Sequence, residues 1–268
     1  MLRCVAAAIA FAVMPAAALA QDGRPPAAPE GWNVSLGAAS VFGPIYQGAD
    51  DYGLSVFPDI RIAYGDRFFA SVPEGLGYRI VNTPLWKGGP IARIRFGRDE
   101  SSGGSPFLLA GDTDDLEGLG DIPAAAELGG FLERRLGAFS LRAEARRGFG
   151  AHQGVIGDVS AGYARRFGET LVTAGPRATF ATADYVERYF GVDAGQAVAS
   201  VLAAFDPDGG LVSWGAGVSA VRPVNSHLTA AVIANYERIA GDAADSPIVR
   251  DRGDADQVSA ILSLSYRF

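Results

Sequence analysis

The sequence predicts an all-β protein: a closed antiparallel transmembrane β-barrel of about 12 strands, with a short helix in a long external loop. Three observations predict this fold class. Apolar and polar side chains alternate over several segments of roughly ten residues. No run after residue 20 approaches the ~18 consecutive apolar residues that indicate a spanning helix. Short and long connections alternate between the segments, as they do in membrane barrels.

Residues 1–20 have the pattern of a cleaved secretory signal peptide, and residues 21–30 that of a flexible lead-in rich in proline and alanine. Arg3 starts the signal, an apolar segment follows, and Ala18-Leu19-Ala20 fits a cleavage site. A membrane anchor is the alternative, but the apolar run is shorter than the ~20 residues of a spanning helix. The barrel is therefore expected to occupy residues 31–268.

Composition excludes several kinds of chemistry. Cys4 is the single cysteine and would leave with the signal peptide, so the remaining chain has no thiol or disulfide. The formal net charge is −7, and it becomes one unit more negative without Arg3. This acidic balance suits an exported protein and argues against nucleic acid as a partner.

The strand predictions rest on period-two alternation. From Tyr52 to Tyr64 the even positions are apolar and aromatic at both ends, whereas the odd positions include Asp59 and Arg61. A soluble β-sandwich would also alternate. Charges on one face, with aromatic residues at the ends of the other, favour a strand between lipid and a polar lumen. The predicted strands lie near 32–42, 51–63, 66–73, 75–81, 89–97, 122–134, 138–148, 155–167, 170–181, 211–222, 225–238 and 256–268.

The lengths of the connections predict the orientation of the barrel. Tight turns are expected around Gly65-Asp66, Leu136-Gly137, Gly168-Glu169 and Pro223-Val224, and long connections at 98–121, 182–210 and 239–255. Outer-membrane barrels have short periplasmic turns and long external loops. The pattern therefore predicts the bacterial outer membrane, with both termini periplasmic and the long loops external. The sheet must close because each unpaired backbone group costs several kcal/mol in hydrocarbon.

The last strand ends on an aromatic stripe. Every second residue from Val258 is apolar, and the stripe finishes with Tyr266 and Phe268. An ordinary amphipathic edge strand is the alternative. In a barrel these two side chains would lie at the periplasmic interface, and such a strand resembles the signal that the barrel assembly machinery reads. Outer-membrane lipid and that machinery are therefore expected partners.

The order and spacing of several motifs resemble the MltA-interacting protein (MipA/OmpV) family of outer-membrane proteins. The resemblance covers essentially the whole chain after the signal peptide. The matching stretches are Trp32, Pro44–Gly48, Tyr52, Phe57-Pro58, Tyr64–Phe69, Gly75–Gly77, Leu116–Asp121, Glu127–Gly129, Ala183–Val192 and Gly241–Val249.

This resemblance implies a scaffold that brings a lytic transglycosylase together with a peptidoglycan synthase in cell-wall remodelling. It implies no catalytic residue. The charged lumen leaves a small pore or uptake channel as an alternative function, and an outer-membrane hydrolase as a less favoured one.

No residue pattern predicts catalysis, a cofactor or a metal. The sequence has two histidines. We expect His152 in a short external connection and His227 on the periplasmic side, too far apart for an active site or a metal site. The acidic stretch 112–118 departs from the calcium-binding EF-hand pattern because Leu116 stands where an oxygen ligand is needed. A solvated acidic loop is the better interpretation.

Alternation predicts a charged lumen. Long side chains can cross the interior of a barrel of about 12 strands, so we expect ion pairs and hydrogen bonds to fill it. This favours a rigid, plugged barrel over a narrow polar pore. The residues predicted to point inward are Asp59, Arg61, Arg93, Arg95, Glu127, Glu133, Arg142, Glu144, Arg146 and Glu237.

Two connections carry further features. Asp193 and Gln196 have capping-box spacing, and an apolar stripe from Val198 to Phe205 predicts an amphipathic helix. A lid that packs on its own barrel is the favoured interpretation of this helix, and contact with a partner protein is the alternative. The preceding motif, 184–192, would anchor this lid. In the largest periplasmic turn, 82–89, Trp86 is a candidate partner contact.

Overall fold

The computed structural model describes residues 31–103 and 107–268. The predicted signal peptide and lead-in lie outside the described residues. The strands are β1 Trp32–Pro44, β2 Tyr52–Tyr64, β3 Phe68–Ser71, β4 Gly75–Tyr78, β5 Val81–Asn82, β6 Trp86–Arg95, β7 Leu108–Ala110, β8 Ala125–Leu136, β9 Phe139–Gly150, β10 Val155–Phe167, β11 Thr170–Ala181, β12 Gly210–Pro223, β13 Leu228–Ile239 and β14 Asp256–Arg267.

Twelve of these strands form a closed antiparallel barrel, which confirms the predicted fold class. Each strand pairs with its neighbours along the chain, and β14 pairs with β1 to close the cylinder. The closing register joins Ser35 to Arg267 and Phe42 to Ala260. Closure gives the spanning strands partners on both sides, which a sheet in hydrocarbon requires.

Buried and exposed side chains alternate along the strands of the barrel wall, as in β8. Glu127, Phe131 and Glu133 are buried inside, whereas Leu128 and Leu132 between them are about half exposed on the outer face. Exposed apolar side chains cover most of the outer face of the barrel, with aromatic side chains near both rims and arginines such as Arg134 and Arg165 toward the strand ends. Such a surface is stable when lipid surrounds it.

The two ends of the barrel differ. Tight turns at one end, the short-turn end, place Gly65, Gly137 and Gly168 at positive φ, a conformation that glycine adopts without strain. Both ends of the described sheet meet there, since Trp32 pairs with Tyr64 and the Phe268 N–H donates to the Val34 carbonyl at 3.1 Å. The opposite, long-connection end carries residues 45–51, 96–103, 107–124, 182–209 and 240–255.

Four short helices at the long-connection end form a lid. They are α1 Ala183–Phe190, α2 Ala194–Ser200, α3 Asp242–Asp245 and α4 Pro247–Arg250. Two buried apolar clusters hold the lid on the barrel; one contains Ile156, Val186 and Phe190, and the other contains Leu116 and Leu202. None of the helices in the described part of the chain is long and apolar enough to cross a membrane.

The predicted lid helix is shorter than its apolar stripe. The capping box of Asp193 and Gln196 is present, but α2 ends at Ser200 and Val201 adopts a left-handed conformation. Val198 and Val201 are therefore exposed, at 84% and 88%, while Leu202 packs beneath. The acidic stretch 112–118 was predicted to be a solvated loop, but Leu116 within it is fully buried.

Three further differences concern the first third of the wall. β3 and β4 are shorter than predicted, and neither β5 nor β7 was predicted as a separate strand. Trp86 begins β6 rather than lying in a turn, and the Arg134 guanidinium stacks 5.1 Å from its ring centre on the outer face. The expected large turn is a tight hairpin between β5 and β6.

Candidate functional site

A network of buried ion pairs crosses the lumen below the lid. Its centre is Arg146, whose side chain is 1% exposed. Arg146 Nε donates to Glu127 Oε2 at 2.8 Å, and Nη2 donates to Asp158 Oδ2 at 2.8 Å. Nη1 also pairs with Glu144. One guanidinium thus joins carboxylates from β8, β9 and β10.

Neighbouring strands extend the network. Arg95 Nε donates to Glu127 Oε1 at 2.5 Å, and Arg93 Nε lies 3.0 Å from Glu144 Oε1. Arg142 donates to Glu144 at 2.8 Å and lies 3.7 Å from Glu133. Seven of the ten predicted inward-facing residues therefore meet in one cluster. Buried charges persist because each has an opposite charge beside it.

The other three predicted residues form separate pairs. Arg61 Nε donates to Asp59 Oδ1 at 2.8 Å, and the Ser263 hydroxyl donates to Asp59 Oδ2 at 2.6 Å. On the opposite wall, Arg177 Nη2 lies 3.4 Å from Glu237 Oε2.

The lumen is chemically two-sided. The large charged residues are concentrated on β6, β8 and β9, whereas the wall from β10 to β13 presents mostly small or hydroxyl-bearing side chains. A cavity of about 90 Å³ lies between the two walls. Its lining includes Arg93, Arg142, Ser160, Thr173, Ser219 and Asn235.

The lid contacts this network directly through α1. The Arg95 guanidinium lies 5.0 Å from the ring centre of Tyr185, and the Tyr185 and Tyr189 rings are 4.7 Å apart. Burial raises the pKa of the Tyr185 hydroxyl well above its usual value, so the group stays neutral. Arg98 donates to the Tyr189 carbonyl at 2.9 Å, and burial lowers its pKa to about 10.

The two histidines lie at opposite ends of the barrel. His152 is buried under the lid, with Nε2 3.4 Å from Glu127 Oε1 and its ring 5.3 Å from the Tyr185 ring. His227 is exposed at the short-turn end, where its ring stacks 5.4 Å from that of Tyr266. His152 was expected in a short external connection, and its burial under the lid was not predicted.

Sequence reasoning missed three lumen residues. Asp158 and Arg177 alternate with outward-facing Val159 and Ala178, so the same period-two pattern would have identified them. The burial of His152 has no such signal, because it lies in the connection between β9 and β10. His152 reaches Glu127 because the connection between β9 and β10 folds back into the mouth of the barrel.

One acidic group could attract a cation. Among the residues that the structure describes, carboxylate oxygens of Asp50, Asp51 and Asp115 lie within 4.8 Å of one another. Asp50 and Asp51 are exposed, so water solvates them. Burial is the main cause that raises the pKa of Asp115. This arrangement is a hydrated acidic surface.

A closed barrel with an apolar outer face, a charged interior and short turns at one end defines an outer-membrane β-barrel protein. The family is equally clear. The chain belongs to the family described as MltA-interacting protein MipA, whose model matches residues 36–268. The predicted family resemblance is thereby confirmed.

Three solved structures are similar to this chain at low sequence identity. An outer membrane channel from Pseudomonas putida F1 is 14% identical, with a TM-score of 0.46 over 90% of this chain and 97% of that chain. The NanC porin is 10% identical, with a TM-score of 0.41 over 88% and 98%. OmpT of Vibrio cholerae is 9% identical, with a TM-score of 0.37 over 88% and 96%. No curated protein matches the chain.

Proposed function

We propose that this protein is a non-enzymatic outer-membrane scaffold with a closed lumen, which holds a lytic transglycosylase near a peptidoglycan synthase. The observation that carries the proposal is the closure of the lumen by the lid and the ion-pair network. Glu127 and Arg146 below the lid are each 1% exposed. A barrel closed in this way acts through its surface rather than through diffusion across it.

The orientation follows from the two ends. Outer-membrane barrels have short turns in the periplasm and long loops outside. The short-turn end, with both ends of the described sheet, would then face the peptidoglycan. The lid would face the exterior. Peptidoglycan enzymes would therefore meet the short turns.

The family description supports the identity of one partner, since it names MltA, a lytic transglycosylase. The short-turn end also offers a preformed surface. The Asn82 amide donates to Asp66 Oδ2 at 2.5 Å, and Arg79 donates to the Asp66 carbonyl at 2.8 Å. These bonds join the turn after β2 to the segment around β5. Leu85 beside them is 55% exposed. A rigid surface loses little conformational entropy on binding.

A binding experiment with matched variants tests the proposal. The purified barrel in detergent is immobilised and incubated with a purified lytic transglycosylase, then with a peptidoglycan synthase. We expect Leu85→Arg to weaken capture of the transglycosylase at least tenfold. Val224→Arg is the control, because Val224 is 56% exposed on another short turn. Failure of the unmodified barrel to bind either enzyme would reject the scaffold.

A small pore or uptake channel is the second candidate, and the cavity between the two lumen walls favours it. Recording from the purified barrel in planar bilayers distinguishes the two functions. A scaffold with a closed lumen gives no conductance above background at any voltage. Steady single-channel currents would support the channel instead.

A further inference from the structure

Two pairs of tryptophan and arginine lie on the lipid-facing surface, one toward each end of the barrel. Trp86 on β6 is directly opposite Arg134 on β8, near the short-turn end. Trp214 on β12 is directly opposite Arg238 on β13, near the long-connection end. The two tryptophan side chains are 37% and 47% exposed. The two pairs therefore place the same residue types in the same cross-strand relation on one continuous surface.

The two arginines differ in their partners. The Arg238 guanidinium pairs with the Asp256 carboxylate, which also accepts a hydrogen bond from the Tyr236 hydroxyl at 2.5 Å. The Arg134 guanidinium lies over the Trp86 ring, 5.1 Å from the ring centre. Within residues 31–103 and 107–268, no carboxylate and no hydrogen-bond acceptor pairs with Arg134. The protein therefore neutralises one of these two lipid-facing charges and leaves the other without a counter-ion.

The position of Arg134 in the wall places its charge at the depth of lipid headgroups. Arg134 lies two residues before the end of β8 at Leu136. An arginine on the lipid face is strongly unfavourable at the centre of the bilayer and nearly neutral at the interface. Tryptophan is enriched at the same interfacial depth. In the proposed orientation of the barrel this end lies in the periplasmic leaflet, which contains glycerophospholipids.

The surroundings of Arg134 suit both parts of a phospholipid. A guanidinium that lies over an aromatic ring keeps the N–H groups along its edge available, and these can donate to two oxygens of one phosphate. Leu132 and Leu128 follow on the same face of β8 toward the middle of the barrel, and they are 47% and 51% exposed. A lipid with its phosphate at Arg134 would therefore lay its acyl chains over these leucines.

We propose that Arg134 and Trp86 form a binding site for the headgroup of an anionic glycerophospholipid. The charge of the occupant follows from the comparison with Arg238, because an anionic headgroup supplies the negative charge that Asp256 supplies there. A zwitterionic headgroup supplies less, since its own ammonium group neutralises its phosphate. The site lies on the lipid-facing wall and leaves the short turns free for a protein partner, so it is independent of the proposed scaffold function.

Quenching of tryptophan fluorescence by brominated lipids tests the proposal with two single-tryptophan chains. Trp32→Phe with Trp214→Phe leaves Trp86 as the reporter of the site. Trp32→Phe with Trp86→Phe leaves Trp214 as the matched control, because the arginine opposite it already has an acidic partner. Each chain is reconstituted in bilayers that mix phosphatidylglycerol with phosphatidylcholine, and either one lipid or the other is brominated. The two quenching curves give the binding constant of phosphatidylglycerol relative to phosphatidylcholine at each tryptophan.

We expect a relative binding constant of about three or more at Trp86 and of about one at Trp214, because a basic residue without a counter-ion attracts anionic lipid. Arg134→Gln should reduce the value at Trp86 to the value at Trp214. Equal values at the two tryptophans, or a value at Trp86 that Arg134→Gln leaves unchanged, would overturn the proposal. Heat-modified mobility on gels checks that each variant is folded. If Arg134→Gln does not fold, the comparison of Trp86 with Trp214 decides the question.

Discussion

Removal of the Glu127 carboxylate is the sharpest test of the ion-pair network. Glu127 accepts hydrogen bonds from Arg95 at 2.5 Å and from Arg146 at 2.8 Å, and all three side chains are at most 7% exposed. Glu127→Ala leaves two guanidinium groups without this partner in a medium where charge is poorly solvated. Arg146 retains Glu144 and Asp158, which limits the loss.

The expected magnitude follows from burial. Breaking a buried ion pair by removing one partner costs about 3–5 kcal/mol. A loss of 1 kcal/mol lowers the midpoint of thermal unfolding by roughly 2–4 °C for a domain of this size. We therefore expect Glu127→Ala to lower the free energy of unfolding by about 3–5 kcal/mol and the midpoint by roughly 6–20 °C.

The loss of the folded gel band with temperature, together with urea unfolding in lipid vesicles, measures both quantities. Glu169→Ala is the control, since Glu169 lies 3.8 Å from Arg222 and both side chains are mostly exposed; such pairs contribute at most about 1 kcal/mol. A Glu127→Ala barrel that unfolds within 1 kcal/mol of the wild type would refute the assignment of the network as a structural element.

Three further predictions concern the wall, the lid and assembly. A methyl group on Gly129 would collide with the Ala145 carbonyl, whereas one on Gly130 meets only the Gly89 carbonyl at 3.5 Å. Gly129→Ala should therefore reduce the folded fraction on gels, and Gly130→Ala should not; equal yields would contradict this packing. Asp193→Ala removes the cap of α2 and should destabilise that helix by about 0.5–2 kcal/mol, seen as faster hydrogen exchange in 194–200 with unchanged barrel melting. Slower assembly into the outer-membrane fraction is expected when both Tyr266 and Phe268 are changed to Ala, and normal assembly would disprove the terminal signal.

Much of the fold was predictable because strand alternation is local. Leu128 faces lipid and its neighbour Glu127 faces the lumen. Their difference in polarity is visible in the sequence and does not depend on which strands lie beside β8. The same alternation placed ten charges inside, and it would have added Asp158 and Arg177 had it been applied to every strand. Some of these charges pair with a residue two positions away on the same strand, as Arg61 does with Asp59. The partners that come from other strands, such as Glu127 for Arg146, were not predictable.

The lid shows the limit of local patterns. The capping box of Asp193 specified where α2 begins, but the apolar stripe did not specify where it ends. Leu202 and Phe205 leave the helix to pack into a cluster with Leu116, which comes from a distant connection. Tertiary packing overrode the helical spacing, because burial of these side chains outweighs a few further helical hydrogen bonds.

The sequence by itself determined that this chain forms a lipid-facing barrel with a charged interior. Period-two polarity specifies strands with one apolar face, and strands in hydrocarbon must close into a barrel so that every backbone group is hydrogen-bonded. Tertiary structure alone decided two features: the burial of His152 against Glu127 and the convergence of three carboxylates on Arg146. Each depends on register and strand length across the sheet, which bring together residues far apart in the chain and which no local pattern encodes.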